Sequence, residues 1–129
     1  MRLAQRAFNY SDQRRFASAS GDNNPMHVDM LLARRTQAGA PVVHGMNLLL
    51  WAFDSLAAAL PDLPMLRGFA AQFYNFVHLG ETVHADLIQQ GPACARLNIS
   101  VDNVPRSRIT LHFGEIGRAS CRERVLVAV

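Results

Sequence analysis

The chain contains no lysine: all thirteen of its basic residues are arginine, set against ten acidic ones. We read that bias as the codon preference of a GC-rich bacterial genome, not as an adaptation to phosphate. A formal charge of +3, dispersed along the chain, excludes the basic stripe of a nucleic-acid binder. Cysteine is scarce as well. Cys94 and Cys121 cannot build the disulfide framework of a small secreted domain, so both are expected reduced, in a cytoplasm. Long apolar runs are absent. The longest stretch, Met46 to Leu60, is interrupted by Asn47, Asp54 and Ser55 and falls short of the roughly 18 uninterrupted apolar residues that suggest a membrane span. Met1-Arg2-Leu3-Ala4 leads into polar residues with no apolar h-region, so no secretory leader is expected. The five histidines show neither an H-x-x-x-H spacing nor a Cys/His cluster, and no metal is expected. There is no G-x-S-x-G elbow for a serine nucleophile. What remains is one domain of 129 residues, half of them hydrophobic, long enough to bury a core.

Two hydrophobic periods divide that domain. Leu3 to Phe8 predicts a short strand. Ser11 as N-cap, Asp12 in the first turn and Gly21 as the C′ residue predict a helix ending near Ser20. Pro25 to Arg35 reads as a second helix, with Arg34 and Arg35 complementing the dipole of its last turn. A loop from Thr36 to Pro41 follows. A third helix, from His44 to about Leu60, carries Leu48, Leu49, Leu50, Trp51, Phe53, Leu56 and Leu60 on nearly every side, and a helix apolar all round is expected to be buried. After Pro64 the period becomes two. Phe69, Ala71 and Phe73 share a parity, as do Val83, Ala85 and Leu87; Ala93 to Val101 and Ser107 to Phe113 alternate cleanly. Gly80-Glu81, Gly91-Pro92 and Asn103-Val104-Pro105 mark the turns. Helices followed by an antiparallel meander predict an α+β fold.

The chemistry lies in Ser20-Gly21-Asp22-Asn23-Asn24-Pro25-Met26-His27. Asp22 and His27 are five apart, the wrong spacing for one face of a continuous helix. A turn at Gly21, with Asn24 capping a helix that starts at Pro25, brings them together. His27 then falls in the first helical turn, where the dipole disfavours imidazolium. A neutral imidazole beside an ionised carboxylate is suited to hold and deprotonate a water. Farther on, Gly45 opens the apolar helix, and first-turn N–H groups have no internal partner. Gly45 either offers such a donor to a developing oxyanion or lets the helix pack closely on a strand. Asn24 reads as a cap, and His44 as a packed histidine orienting the loop. His78, His84 and His112 are expected at solvent-facing or strand-edge positions. Arg34 and Arg35 fit a solvated helix end as well as a phosphate contact, and Trp51 is core.

The G-D-x-N-P-x-H register with its lead-in Phe16-Ala17-Ser18-Ala19-Ser20, followed by Pro41-Val42-Val43-His44-Gly45-Met46, resembles the MaoC-like, R-specific enoyl-CoA hydratase family. The likeness runs from about Phe8 to Gly114. It departs at Phe76-Val77-His78-Leu79-Gly80-Glu81-Thr82, where relatives often read P-V-x-P-G-D-T. The resemblance implies a hot-dog fold, a long central helix wrapped by a curved antiparallel sheet, and usually a dimer. It implies hydration of trans-2-enoyl thioesters, or the reverse dehydration, by Asp22 and His27, with backbone N–H near Gly45 facing the thioester oxygen. The substrate is then a CoA or acyl-carrier thioester and no cofactor is needed. The expected partners are that substrate and a second copy of the chain, with no nucleic acid and no membrane. Residues Leu31 to Val43 would line the acyl channel. Two rival readings are a hot-dog acyl thioesterase and a non-catalytic thioester-binding or dimerisation module.

The stretch Glu115-Ile116-Gly117-Arg118-Ala119-Ser120-Cys121-Arg122-Glu123-Arg124-Val125, under one choice of codons, resembles one reading frame of a widely used short-read sequencing adapter. We therefore expect the domain to occupy 1–114, with 115–129 a foreign tail and the natural C-terminus truncated. A basic loop and a last strand from Val125 to Val129 is the alternative.

Overall fold

The computed structural model describes residues 1–114; both readings of the tail concern 115–129 and lie outside the described residues. The chain opens with a strand, β1 (Arg2–Ala7), followed by a helix, α1 (Tyr10–Ser20). Asn9 is the N-cap of α1, not Ser11. Its side chain accepts from the Asp12 N–H while the Asp12 carboxylate accepts from the Asn9 N–H, a reciprocal capping box that satisfies both donors. Gly21 closes the helix in the left-handed conformation, φ 79°, as its C′ position requires.

The predicted second helix is two single turns, α2 (Pro25–Val28) and α3 (Met30–Ala33). Asp29 breaks it: its backbone is extended (φ −118°, ψ 107°), and its side chain accepts from the N–H groups of Leu31 and Leu32. An Asp that bonds nearby backbone competes with the helix running through it and becomes a cap. The long helix α4 (Gly45–Ala59) matches its predicted span, with His44 as N-cap.

Four strands follow: β2 (Leu66–Phe73), β3 (Thr82–Gly91), β4 (Cys94–Val101) and β5 (Val104–Phe113). The described strands form one antiparallel sheet in the order β1-β3-β4-β5-β2. The β4–β5 turn sits on Asp102 and Asn103, both at positive φ, so Val104 and Pro105 pair within β5 instead of turning the chain. Register irregularities in all four pairings bend the strands. Val83, Ala85, Leu97, Ile99, Ile109 and Leu111 point to one face, and Leu48, Leu49, Ala52 and Leu56 of α4 pack on them. A long helix on one face of this antiparallel sheet is the hot-dog arrangement.

One expectation about burial needs correcting. The α4 helix is not covered all round: Met46 and Leu50 are 46% and 48% exposed, and its core face is the stripe at positions 48, 49, 52 and 56. Cys94 is buried in β4. Among the described residues, no helix is long and apolar enough to cross a membrane.

Candidate active site

The segment between α1 and α4 folds into a series of caps and short turns. Asp22 N–H donates to Ser20 Oγ, and Asn24 N–H donates to Asp22 Oδ1 at 3.2 Å. Asn24 in turn accepts from Met26 N–H and caps α2, the role its sequence position predicts. The turn leaves Asp22 Oδ2 3.9 Å from His27 Nε2, with the carboxylate half exposed and the imidazole largely buried. That gap exceeds a direct hydrogen bond and suits one bridging water.

Hydrogen bonds fix the tautomers. His27 Nδ1 lies 2.8 Å from Val42 O. A carbonyl only accepts, so Nδ1 carries the proton and, in the neutral ring, Nε2 turns its lone pair towards Asp22. His44 Nε2 lies 3.1 Å from Asp22 O and donates by the same reasoning, leaving Nδ1 buried without a partner. His44 is 1% exposed. Burial pushes its imidazole below the ordinary value; proximity to His27 works the same way, and the bond to Asp22 O works against it. Its ring stacks on His27 (centroids 4.0 Å apart, planes 24°) and tilts against Phe16 (4.7 Å, 53°). His44 is thus a packed, neutral ring that ties the Asp22 turn to the start of α4. The helix-dipole argument for a neutral His27 does not carry over, because α2 is only one turn long.

The fold gathers Asp22, His27 and His44 so that one possible ligand atom from each lies within 4.8 Å of the others. All three are residues that the two sequence landmarks contain; the contact between the His27 and His44 rings is what the sequence did not show. Ring lone pairs lie in the ring planes, and two stacked, nearly parallel imidazoles do not aim theirs at one point. His44 Nε2 already faces the Asp22 carbonyl.

Gly45 follows His44 as the first residue of α4. The Asn47 and Leu48 N–H groups use His44 O, and the His44 side chain makes no cap. A Cβ on Gly45 would meet Cε1 of Phe73 at 3.0 Å. Close packing against β2 is therefore real, and as a first-turn residue Gly45 has no partner for its N–H within the helix.

Sequence reasoning missed three elements. Gln13, fully buried, donates through Nε2 to His27 O (2.9 Å) and Val42 O (2.6 Å). Val42 acts through its main chain: its N–H donates to Met26 O, and its carbonyl serves both Gln13 and His27. Phe16 closes the ring stack. The available signal was a polar residue at the buried Gln13/Ala17 stripe of α1.

His112 is not solvent-facing, whereas the His78 side chain is 34% exposed. His112 is buried in β5; His78 bonds Ala38 O through Nε2 and lies 3.4 Å from Glu81 Oε1. Burial pushes the Glu81 carboxyl up, but the His78 N–H and the Arg106 guanidinium outweigh it and hold the group below the ordinary carboxylate range. The loop that lacks the relatives' prolines is held instead by this cluster, by Gly80 at φ 85°, and by a bridge pairing His78 with Val42.

Residues 3–105 match the family model of the MaoC-like domain. Over 90 residues, 67% of the chain, the sequence is 36% identical to the fatty acid synthase beta subunit aflB of Emericella nidulans, of whose length it spans 4%. The fold matches an (R)-hydratase from A. caviae involved in PHA biosynthesis, with a TM-score of 0.71 at 23% identity, covering 88% of this chain and 93% of that one. It also matches an R-hydratase of Pseudomonas aeruginosa, with a TM-score of 0.68 at 22% identity, covering 98% and 88%.

Proposed function

This chain belongs to the MaoC-like dehydratase family, and on that premise we propose that it hydrates trans-2-enoyl thioesters to (R)-3-hydroxyacyl thioesters or runs the reverse dehydration. Hydratase/dehydratase chemistry is what the family supports; the substrate and the residue roles are our reading. The observation that carries it is the 3.9 Å separation of Asp22 Oδ2 and His27 Nε2, with the opposite ring nitrogen, Nδ1, held by Val42 O.

One water sits between them, about 2.8 Å from each. Asp22 accepts one of its O–H bonds and His27 Nε2 the other. As the oxygen bonds to C3, His27 takes the proton and the C2–C3 π electrons move onto the thioester oxygen. The first-turn N–H at Gly45 faces that oxyanion. His27 then returns its proton to C2 from the same side, which balances the addition of one water. Asn24 and His44 hold the turn from either end. No electron changes hands and no cofactor is required.

The exposed apolar residues Met46 and Leu50 on α4, and Phe69 and Phe73 on edge strand β2, support a homodimer through this face. Loss of enoyl absorbance with crotonyl-CoA and an eight-carbon trans-2-enoyl-CoA, followed beside free-thiol release, tests the reaction. Absorbance loss without thiol supports hydration. Thiol release without it would mean a thioesterase, and neither signal from a folded dimer would sink the enzyme reading for CoA substrates.

A further inference from the structure

We infer that Gln13 is a positioning residue, whose buried side-chain amide holds the His27 imidazole in register with Asp22. This rests on the reading of His27 as the base. An amide nitrogen has two hydrogens, and both are used: one on His27 O, the other on Val42 O. Since both partners only accept, the nitrogen must face them, and Oε1 is left buried with no hydrogen bond. Leu or Met would fill the same space without an orphaned oxygen. Packing alone therefore does not account for a glutamine here.

The two bonds hold His27 at both ends. One fixes its backbone. The other fixes Val42 O, the atom that orients the ring through Nδ1. Two donors on one carbonyl occupy both of its lone pairs, so Val42 O has no freedom to turn away. The amide also stands on α1, whose end is closed by Gly21, with Asp22 next in the chain. One capped helix thus carries Asp22 just past its last turn and grips His27 from its first. The separation of the pair is set by α1, with Gln13 as the link.

The test is Gln13→Met, which keeps length and apolar volume but donates nothing. The expected result is a folded protein with unchanged mass, kcat lower by about 10–100-fold, as a small misplacement produces, and KM within about threefold. The His27 Nδ1–H, followed by imidazole ¹⁵N–¹H NMR, should be protected from exchange in the parent and lose that protection in the variant. Leu56→Val, which loosens the core away from the site, should lower stability with kcat unchanged. A variant that loses stability but keeps both kcat and the protected ring proton overturns the inference. The NMR readout is independent of turnover: if the parent is inactive on enoyl thioesters, the hydratase reading fails, while Nδ1–H protection still decides the clamp. Should Gln13→Met not fold, the parent suffices. Rapid exchange of its Gln13 amide protons or its His27 ring proton overturns the clamp; slow exchange of both supports it.

Discussion

Replacing Asp22 by Asn tests the proposed chemistry with little disturbance to the fold. The carboxylate is half exposed on a turn and, among the described residues, makes one hydrogen bond, Oδ1 accepting from Asn24 N–H. The Oδ1 of an Asn can keep that bond, so the change in unfolding free energy should stay within about 0.5 kcal/mol. The other oxygen becomes an NH₂ group facing the Nε2 lone pair of His27 across 3.9 Å. It can donate to that lone pair but cannot accept from a water, so the water loses one holder and competes with the amide for the other. General acid–base catalysis contributes about 10²–10⁴-fold. A loss of that size in kcat corresponds to roughly 3–5 kcal/mol of transition-state stabilisation. KM should move less than kcat, because the substitution keeps the turn and changes the group proposed to hold the water. The assay is enoyl absorbance at saturating crotonyl-CoA, with circular dichroism and dimer mass as controls. An Asp22→Asn protein with kcat within about threefold of the parent would refute the shared-water mechanism.

The remaining predictions concern stability and assembly. His44 is held below its ordinary value of 6.5, so below about pH 6.5 the unfolded chain binds a proton that the folded one refuses. This contribution is intact above pH 6.5 and falls as pH drops towards the folded value, by up to about 1.4 kcal/mol per unit. Urea midpoints between pH 5 and 8 should show that slope, flattened in His44→Asn; equal slopes would mean His44 titrates freely. Gly45→Ala places a methyl 3.0 Å from the Phe73 ring and should cost about 1–3 kcal/mol, much of it regained when Phe73→Leu is added. An unchanged midpoint in the single variant would show that the ring gives way freely. Leu50→Glu puts a charge on the exposed side of α4. Sedimentation should show the dimer weakened more than a hundredfold, equivalent to about 2.7 kcal/mol, and an unweakened dimer would place the interface elsewhere.

Much of this molecule can be read residue by residue because its signals are local. Gly21, Asn24 and Pro25 each act within a few positions of themselves, so the turn bringing Asp22 to His27 was legible, as were the alternating strands. Asp29 was not, because Met30 to Ala33 are good helix formers and nothing in the pattern says that the side chain before them will bond forward, to their own N–H groups. The exposure of Leu50 was hidden for another reason: an all-apolar helix requires cover but does not say whether its own sheet supplies all of it. Gln13 escaped because its partners lie 14 and 29 positions away. His112 looked external by parity, yet it is buried.

Val42 shows how the site can be passed on through mutation. Its side chain is one more piece of core, while its peptide groups receive Gln13, orient His27 and reach Met26. Any apolar residue supplies the same carbonyl and, proline excepted, the same N–H. The anchor of the imidazole is therefore written in the path of the chain, not in its letters. Lineages can drift at this position without disturbing the His27 ring, and the selective pressure that protects it falls instead on the neighbours that keep the main chain in place.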